Sequence, residues 1–229
     1  MGLTVAVLTS LRPGRGRGYL AATLAAIGLQ PHGGRLYLHS DGPLPPELPA
    51  RLVDGWQVHE GEKYPGNRNT HAFWDVLEAA GRDDLVFFED DVAPGKNAIA
   101  YMTAARCPPE LAFVSYFEAA FRADAPIGLY TGPAEAFGLC QALYLPARTV
   151  AELVRARGRA GVWNPEVGSD ACMANVLAGR RYGIHVPALV QHLGFESLTN
   201  PRRSDLPRSH TFRGEDFNAF DLCPWRGAA

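Results

Sequence analysis

Residues 83–95 read DDLVFFEDDVAPG. Leu85 to Phe88 is an unbroken apolar run of strand length. A run without alternation suits a strand buried on both faces, as in a parallel sheet covered by helices. It runs straight into Glu89, Asp90 and Asp91. Three adjacent carboxylates at the end of a buried strand repel one another and cost stability unless something compensates them. A divalent cation does so: Mg2+ and Mn2+ favour carboxylate oxygens and bridge to substrate phosphates. The competing reading is a solvated acidic turn that caps the next helix. The apolar run before the triplet and Val92-Ala93-Pro94-Gly95 after it favour an ion site.

Working outward, apolar strands and helices alternate through the first half of the chain. Thr4 to Leu11 reads as a buried strand, followed by a Gly/Arg-rich turn at Arg12 to Gly18 and an alanine-rich helix from Tyr19 to Leu29. Arg35 to His39 is a second strand, ending in Ser40-Asp41-Gly42. Asn69 to Ala80 is an amphipathic helix with Phe73, Trp74 and Leu77 on one face. Beyond the acidic triplet, helices are expected at Ala98 to Arg106, Arg148 to Arg157 and Ser169 to Ala178. Strands are expected at Leu111 to Phe117, Gln141 to Leu145 and Gly183 to Val190. This alternation predicts an α/β fold, a single Rossmann-like domain with a mostly parallel central sheet flanked by helices. Ligands of such sheets sit beyond the carboxyl ends of the strands. Thr9, Ser10, Asp41 and Glu89 to Asp91 should therefore converge on one edge. The domain is expected to span residues 1–196, and the polar, arginine-rich stretch 197–229 reads as a tail or lid.

Composition bounds the function. The 229 residues are 47% hydrophobic, enough for a sizeable core, and the net charge of −2 leaves no basic footprint for nucleic acid. Lys63 and Lys96 are the only lysines; a GC-rich genome accounts for the arginine bias. Cys107, Cys140, Cys172 and Cys223 are widely spaced with no C-x-x-C, which argues against a zinc site built on them and for a reducing, cytoplasmic setting. No segment reads as a signal peptide or a membrane span.

Two later constellations carry chemistry. His192 follows the last apolar strand in Gln191-His192-Leu193-Gly194, with Ser197 shortly after. A neutral imidazole there can complete a carboxylate metal site, although a lone histidine is more often a packing or surface residue. Gly168-Ser169-Asp170 opens a helix, where Ser169 can cap and an acidic first turn suits the helix dipole. Asp170 is equally placed to act as a general base, with Glu166 as the fallback. The turn Gly14-x-Gly16-x-Gly18 is not the G-x-G-x-x-G of a dinucleotide site, and a dehydrogenase has no use for the acidic triplet.

The stretch DDLVFFEDDVAPG resembles the metal-binding region of GT-A glycosyltransferases, in which a D-x-D or E-D-D motif ends a central strand. YPGNRNTHAFWDVL (64–77) is similar to the segment before that strand in the family, and TVAVLTSLRP (4–13) to its first strand and nucleotide-contacting end. PALVQHLGFESL (187–198) resembles a late H-x-G-type segment of some members. The resemblance spans roughly residues 3–200. It implies a metal-assisted, inverting transfer of sugar from a nucleotide-sugar donor, a UDP-sugar, to a glycan or other hydroxyl acceptor. By it, Asp91, Glu89 and His192 would hold a divalent cation, Mn2+ or Mg2+. Thr9, Ser10, Arg12, Asp41, Arg68, Asn69, Asp90 and Ser197 would contact the donor, and Asp170 or Glu166 would be the base. The string of histidine, glycine, lysine and tryptophan found in retaining enzymes is absent. Nucleotidyl transfer and a non-catalytic nucleotide- or glycan-binding domain are the alternatives.

Overall fold

The computed structural model describes residues 2–10, 17–61, 69–193 and 207–222. In chain order its elements are β1 (Leu3–Thr9), α1 (Arg17–Gly28), β2 (Arg35–Ser40), β3 (Trp56–Glu60), α2 (Thr70–Ala80), β4 (Asp84–Glu89), β5 (Val92–Pro94), α3 (Ala98–Ala105), β6 (Val114–Ser115), β7 (Gly128–Pro133), β8 (Ala142–Leu145), α4 (Ala147–Ala156), α5 (Ser169–Val176), β9 (Arg181–Val186) and β10 (Val190–His192). Eight strands form one sheet in the order β3-β2-β1-β4-β8-β6-β9-β7. The strands β3, β2, β1 and β4 are mutually parallel. Only β8 and β7 run against the rest. The expected α/β architecture with a mostly parallel sheet is the one observed.

The continuous apolar runs are explained by cover on both faces. Along β1, Val5 and Val7 enter one buried cluster with α1 and α3, while Ala6 and Leu8 enter the other with α2, α4 and α5. The alternation repeats in β4, where Val86 and Phe88 face the first cluster and Leu85 and Phe87 the second. Helix α2 buries Phe73, Trp74, Val76 and Leu77 completely. The Trp74 indole, polar at one point, donates to the Leu153 carbonyl at 2.9 Å, so its burial leaves no orphan donor. Gly183 keeps β9 close to its neighbours, since a Cβ there would meet Leu129 Cδ1 at 2.9 Å.

The departures from expectation have local causes. The run from Leu111 to Phe117 is buried throughout, yet only Val114 and Ser115 join the ladder, between β8 and β9. The run from Gly183 to Val190 is cut in two. Pro187, which follows a cis bond from Val186, has no N–H to continue the ladder. The chain then forms a separate two-stranded sheet, β10 antiparallel to β5. Strands β3, β5 and β7 are further additions to the expected set.

Residues 207–222, part of the expected tail, pack against the body of the domain. Lys96 N–H donates to Glu215 O at 2.9 Å and Lys96 O accepts from Ala219 N at 2.9 Å. Ala219 and Leu222 are buried in the cluster that contains α3. Cys107, Cys140 and Cys172 are buried free thiols. Among the described residues no helix is long and apolar enough to cross a membrane.

A buried histidine of this core should make the fold acid-sensitive. His185 is buried. Its Nδ1 lies 2.7 Å from Pro187 O, so it carries the proton, and Nε2 accepts from the Tyr101 hydroxyl at 3.0 Å. Burial lowers its pKa to about 4. Between pH 6.5 and 4 the unfolded chain therefore binds a proton that the folded chain refuses, and stability falls as pH falls through that window. A difference of this size is on the order of 3 kcal/mol. Urea unfolding at pH 7, 5.5 and 4 should show a flatter pH profile for His185→Gln than for the wild type. Parallel profiles would remove His185 as a source of acid lability.

Candidate active site

The carboxyl ends of β1, β2 and β4 lie side by side, and the chain leaves β4 through Glu89-Asp90-Asp91 into β5. The three carboxylates diverge. Asp90 turns toward β1, where the buried Thr9 hydroxyl donates to its Oδ2. Asp91 turns toward β10, with its Oδ2 2.9 Å from His192 Nε2. Glu89 continues the β4 alternation onto the side of Leu85 and Phe87. There it accepts a hydrogen bond from the Gln141 side chain and feels the charge of Asp170.

The turn is held from behind by α1. The Thr23 hydroxyl, fully buried, lies 2.8 Å from the Asp90 carbonyl and 2.7 Å from the Val92 carbonyl, and accepts from Val92 N–H at 3.2 Å. On the other side β10 pairs His192 with Val92, and Leu193 N–H donates to Asp91 O at 2.6 Å. His192 is thereby fixed beside Asp91 although the two are far apart in sequence. Asp91 Oδ1 and His192 Nδ1 are both buried without a hydrogen-bond partner among the described residues. Buried polar atoms of native proteins are normally paired, so unpaired atoms on both members of this pair single it out.

The electrostatics follow from crowding and burial. Burial, then Asp91, Asp90 and Asp170, push the Glu89 carboxyl well above the usual range, against the Gln141 hydrogen bond. Burial and then Asp91 raise Asp90 to about 7, with the Thr9 hydroxyl opposing and Asp41 adding to the rise. Asp41, after β2, donates its N–H to Thr9 O at 3.1 Å. The Ser10 hydroxyl donates to Asn69 Oδ1 at 2.6 Å, which ties the end of β1 to the start of α2. Asp170 stands in the first turn of α5, its Oδ1 accepting from Ala171 N–H at 2.8 Å. It does so over Gly168, where a Cβ would come within 2.7 Å of that oxygen. Gly168, not Ser169, is the N-cap residue, with no side-chain cap. Glu166 is exposed on the preceding loop. Of the expected site residues, the structure brings together Thr9, Asp41, Glu89, Asp90, Asp91, Asp170 and His192, with Ser10 and Asn69 alongside. Arg12, Arg68 and Ser197 lie outside the described residues.

No protein-family model matches this chain, and no curated protein matches its sequence. Its backbone does superpose on solved structures. Over 83% of the chain it aligns with GalNAc-T7, whose crystal structure holds UDP, GalNAc and Mn2+, at a TM-score of 0.58 and 13% identity. Over 80% it aligns with TarS of S. aureus at a TM-score of 0.53, again at 13% identity. The chain has the GT-A glycosyltransferase fold. It spans 43% of the GalNAc-T7 chain and 58% of the TarS chain.

Within this GT-A domain, sequence reasoning missed Thr23 and Gln141, which hold the site's backbone and side chains without following an apolar strand. Among the described residues no group of three or more His, Cys, Asp or Glu side chains is gathered in a way that could hold a metal ion. The divergence of the acidic triplet is the reason. Asp91 and His192 form a pair, not part of a protein-only cage. The raised Asp90 gives a test of the crowding. Its charged form costs stability above pH 7, and the cost is relieved as pH falls through 7 toward the unfolded value near 4. Asp90→Asn should raise the melting temperature at pH 8 by roughly 2–4 °C for each kcal/mol relieved, and the gain should shrink by pH 5. An unchanged or lower melting temperature at pH 8 would show that Asp90 is not under electrostatic strain.

Proposed function

We propose that the domain transfers a sugar from a nucleotide-sugar donor, a UDP-sugar, to an acceptor hydroxyl, with a divalent cation and with inversion. The observation that carries this reading is the Asp91–His192 pair beside the β1 and β4 carboxyl ends. Its facing atoms, Asp91 Oδ2 and His192 Nε2, lie 2.9 Å apart, and Asp91 Oδ1 is buried and unpartnered among the described residues. A carboxylate oxygen and an imidazole nitrogen suit Mn2+, the ion in the GalNAc-T7 structure. Asp91 and His192 would hold it, and donor phosphate oxygens and water would complete its shell, since the protein supplies too few ligands for a closed site. When bound, the ion offsets the charge that develops on the departing diphosphate.

The remaining work falls to the chain itself. The sheet edge at Thr9, Ser10, Asp41 and Asn69 is the surface for the nucleoside, as expected of the crevice where the strand order reverses between β1 and β4. Asp90, neighbour to Asp41 and held by Thr9, sits between the nucleoside surface and Asp91. Asp170 takes the proton of the attacking hydroxyl; it faces the site from α5, close enough to Glu89 to raise that carboxyl. Glu166, exposed on the loop, ranks behind it. Glu89, on the same side as Asp170, has its proton affinity raised by that neighbour as well as by burial.

Two variants test the reading. Asp91→Ala should abolish the Mn2+-dependent part of UDP binding in calorimetry while the protein remains folded; undiminished metal-linked affinity would remove Asp91 from the site. Asp170→Asn keeps the size and the hydrogen bond to Ala171 N–H but not the base. Transfer should fall by about 10²–10⁴-fold at nearly constant donor affinity. Wild-type turnover in that variant would reject Asp170 and point to Glu166 or to a retaining route.

A further inference from the structure

Glu118 is a buried carboxylate, 4% exposed, with no cation beside it among the described residues. It follows β6, remote in sequence from the acidic triplet. Among the described residues its oxygens accept from neutral donors. Oε2 accepts from Phe121 N–H at 2.7 Å. Oε1 accepts from the Ser209 hydroxyl at 3.0 Å and the Thr211 hydroxyl at 2.8 Å. Burying a carboxylate in this way is costly even when it is fully bonded, and apolar packing of equal volume would stabilise the spot at least as well. Fold stability alone therefore does not account for it.

What the carboxylate organises runs to His192. The Ser209 backbone is clasped by the Gln191 side chain: Ser209 N–H donates to Gln191 Oε1, and Gln191 Nε2 donates to Ser209 O, each at 3.0 Å. The same Oε1 accepts from His192 N–H at 3.1 Å. The Thr211 hydroxyl in turn accepts from Ala188 N–H at 2.9 Å, at the other end of the 188–192 stretch. The residue before Glu118 contacts the imidazole directly, with the Phe117 and His192 rings 6.3 Å apart. A short strand such as β10, three residues paired on one side to β5, has few bonds of its own to fix a ligand's angle. The Glu118 node supplies fixed points on its other side.

We propose that Glu118, through Ser209 and Gln191, is a positioning residue that sets the His192 imidazole against Asp91 for metal binding. This rests on the reading of Asp91 and His192 as the pair that holds the ion. Outer-shell partners of metal ligands typically change metal affinity about 10–100-fold when removed. Calorimetry of UDP, with and without MnCl2, on wild type, Glu118→Ala, Glu118→Gln and Gln191→Ala provides the test. The Mn2+-linked gain in UDP affinity should fall at least roughly tenfold in Glu118→Ala and Gln191→Ala. UDP affinity without metal should be unchanged. Glu118→Gln retains an oxygen for the two hydroxyls and should restore part of the gain. In the metal-free proteins, the His192 ring signals in 1H–15N spectra should be single and sharp in the wild type and shifted or broadened in the two alanine variants. A full Mn2+-linked gain and an unchanged His192 ring in Gln191→Ala and in folded Glu118→Ala, even with a lower melting temperature, would reduce the node to a structural role. If Glu118→Ala does not fold, Gln191→Ala and Glu118→Gln decide the matter. Absence of any Mn2+-linked gain in the wild type would overturn the metal reading itself, and the positioning role with it.

Discussion

The Thr23 hydroxyl, between the carbonyls of Asp90 and Val92 and the N–H of Val92, is the contact on which the site's shape depends. The turn between β4 and β5 must carry three carboxylates, whose mutual repulsion would open it. Thr23 fixes its backbone from the α1 side, the β10 ladder fixes it from the other, and the Thr9 hydroxyl takes one carboxylate. With the backbone fixed, the direction of each acidic side chain follows from its place in the strand and the turn.

That direction explains why an acidic triplet does not make a three-carboxylate metal cage. Glu89 obeys the strand's alternation and faces Gln141 and Asp170. Asp90 points back to Thr9, and Asp91 forward to His192. The triplet thus serves separate positions along one edge: a carboxyl on the side of the helix that bears Asp170, a carboxyl held by Thr9 at the end of β1, and a carboxylate paired with imidazole. Adjacent residues in sequence reach different chemical neighbourhoods because a strand end and a tight turn spread successive side chains apart.

The parts of the fold that could be read from the sequence are those where burial writes a pattern. β1, β2 and β4 are central and covered on both faces, so they appear as apolar runs. Helix α2 packs one face and shows it in the spacing of Phe73, Trp74 and Leu77. The strands that escaped reading are at the edges or are very short. β3 buries only Trp56 of its five residues, and β7, with two glycines and a proline, is half-exposed along its length. Their place is set by ladder bonds to β2 and β9, which any side chains permit. The separate β5–β10 sheet was hidden in what looked like one long strand, because apolar residues continue past Pro187 while the ladder cannot.

The site divides along the same line. Thr9, Asp41, the acidic triplet and His192 could be named because each ends an apolar strand, and the crevice of an open sheet lies there. Thr23 sits within an alanine-rich helix, where a threonine carries no sign of what it faces. Gln141 precedes β8, which runs antiparallel to β4. Its amino end, not its carboxyl end, therefore lies at the site, where Glu89 N–H donates to Gln141 O at 3.1 Å. A rule framed for carboxyl ends of parallel strands passes over such a residue. Once one strand of the sheet is reversed, the residue before it is as well placed as the residue after its parallel neighbour, and the Gln141 side chain accordingly reaches Glu89.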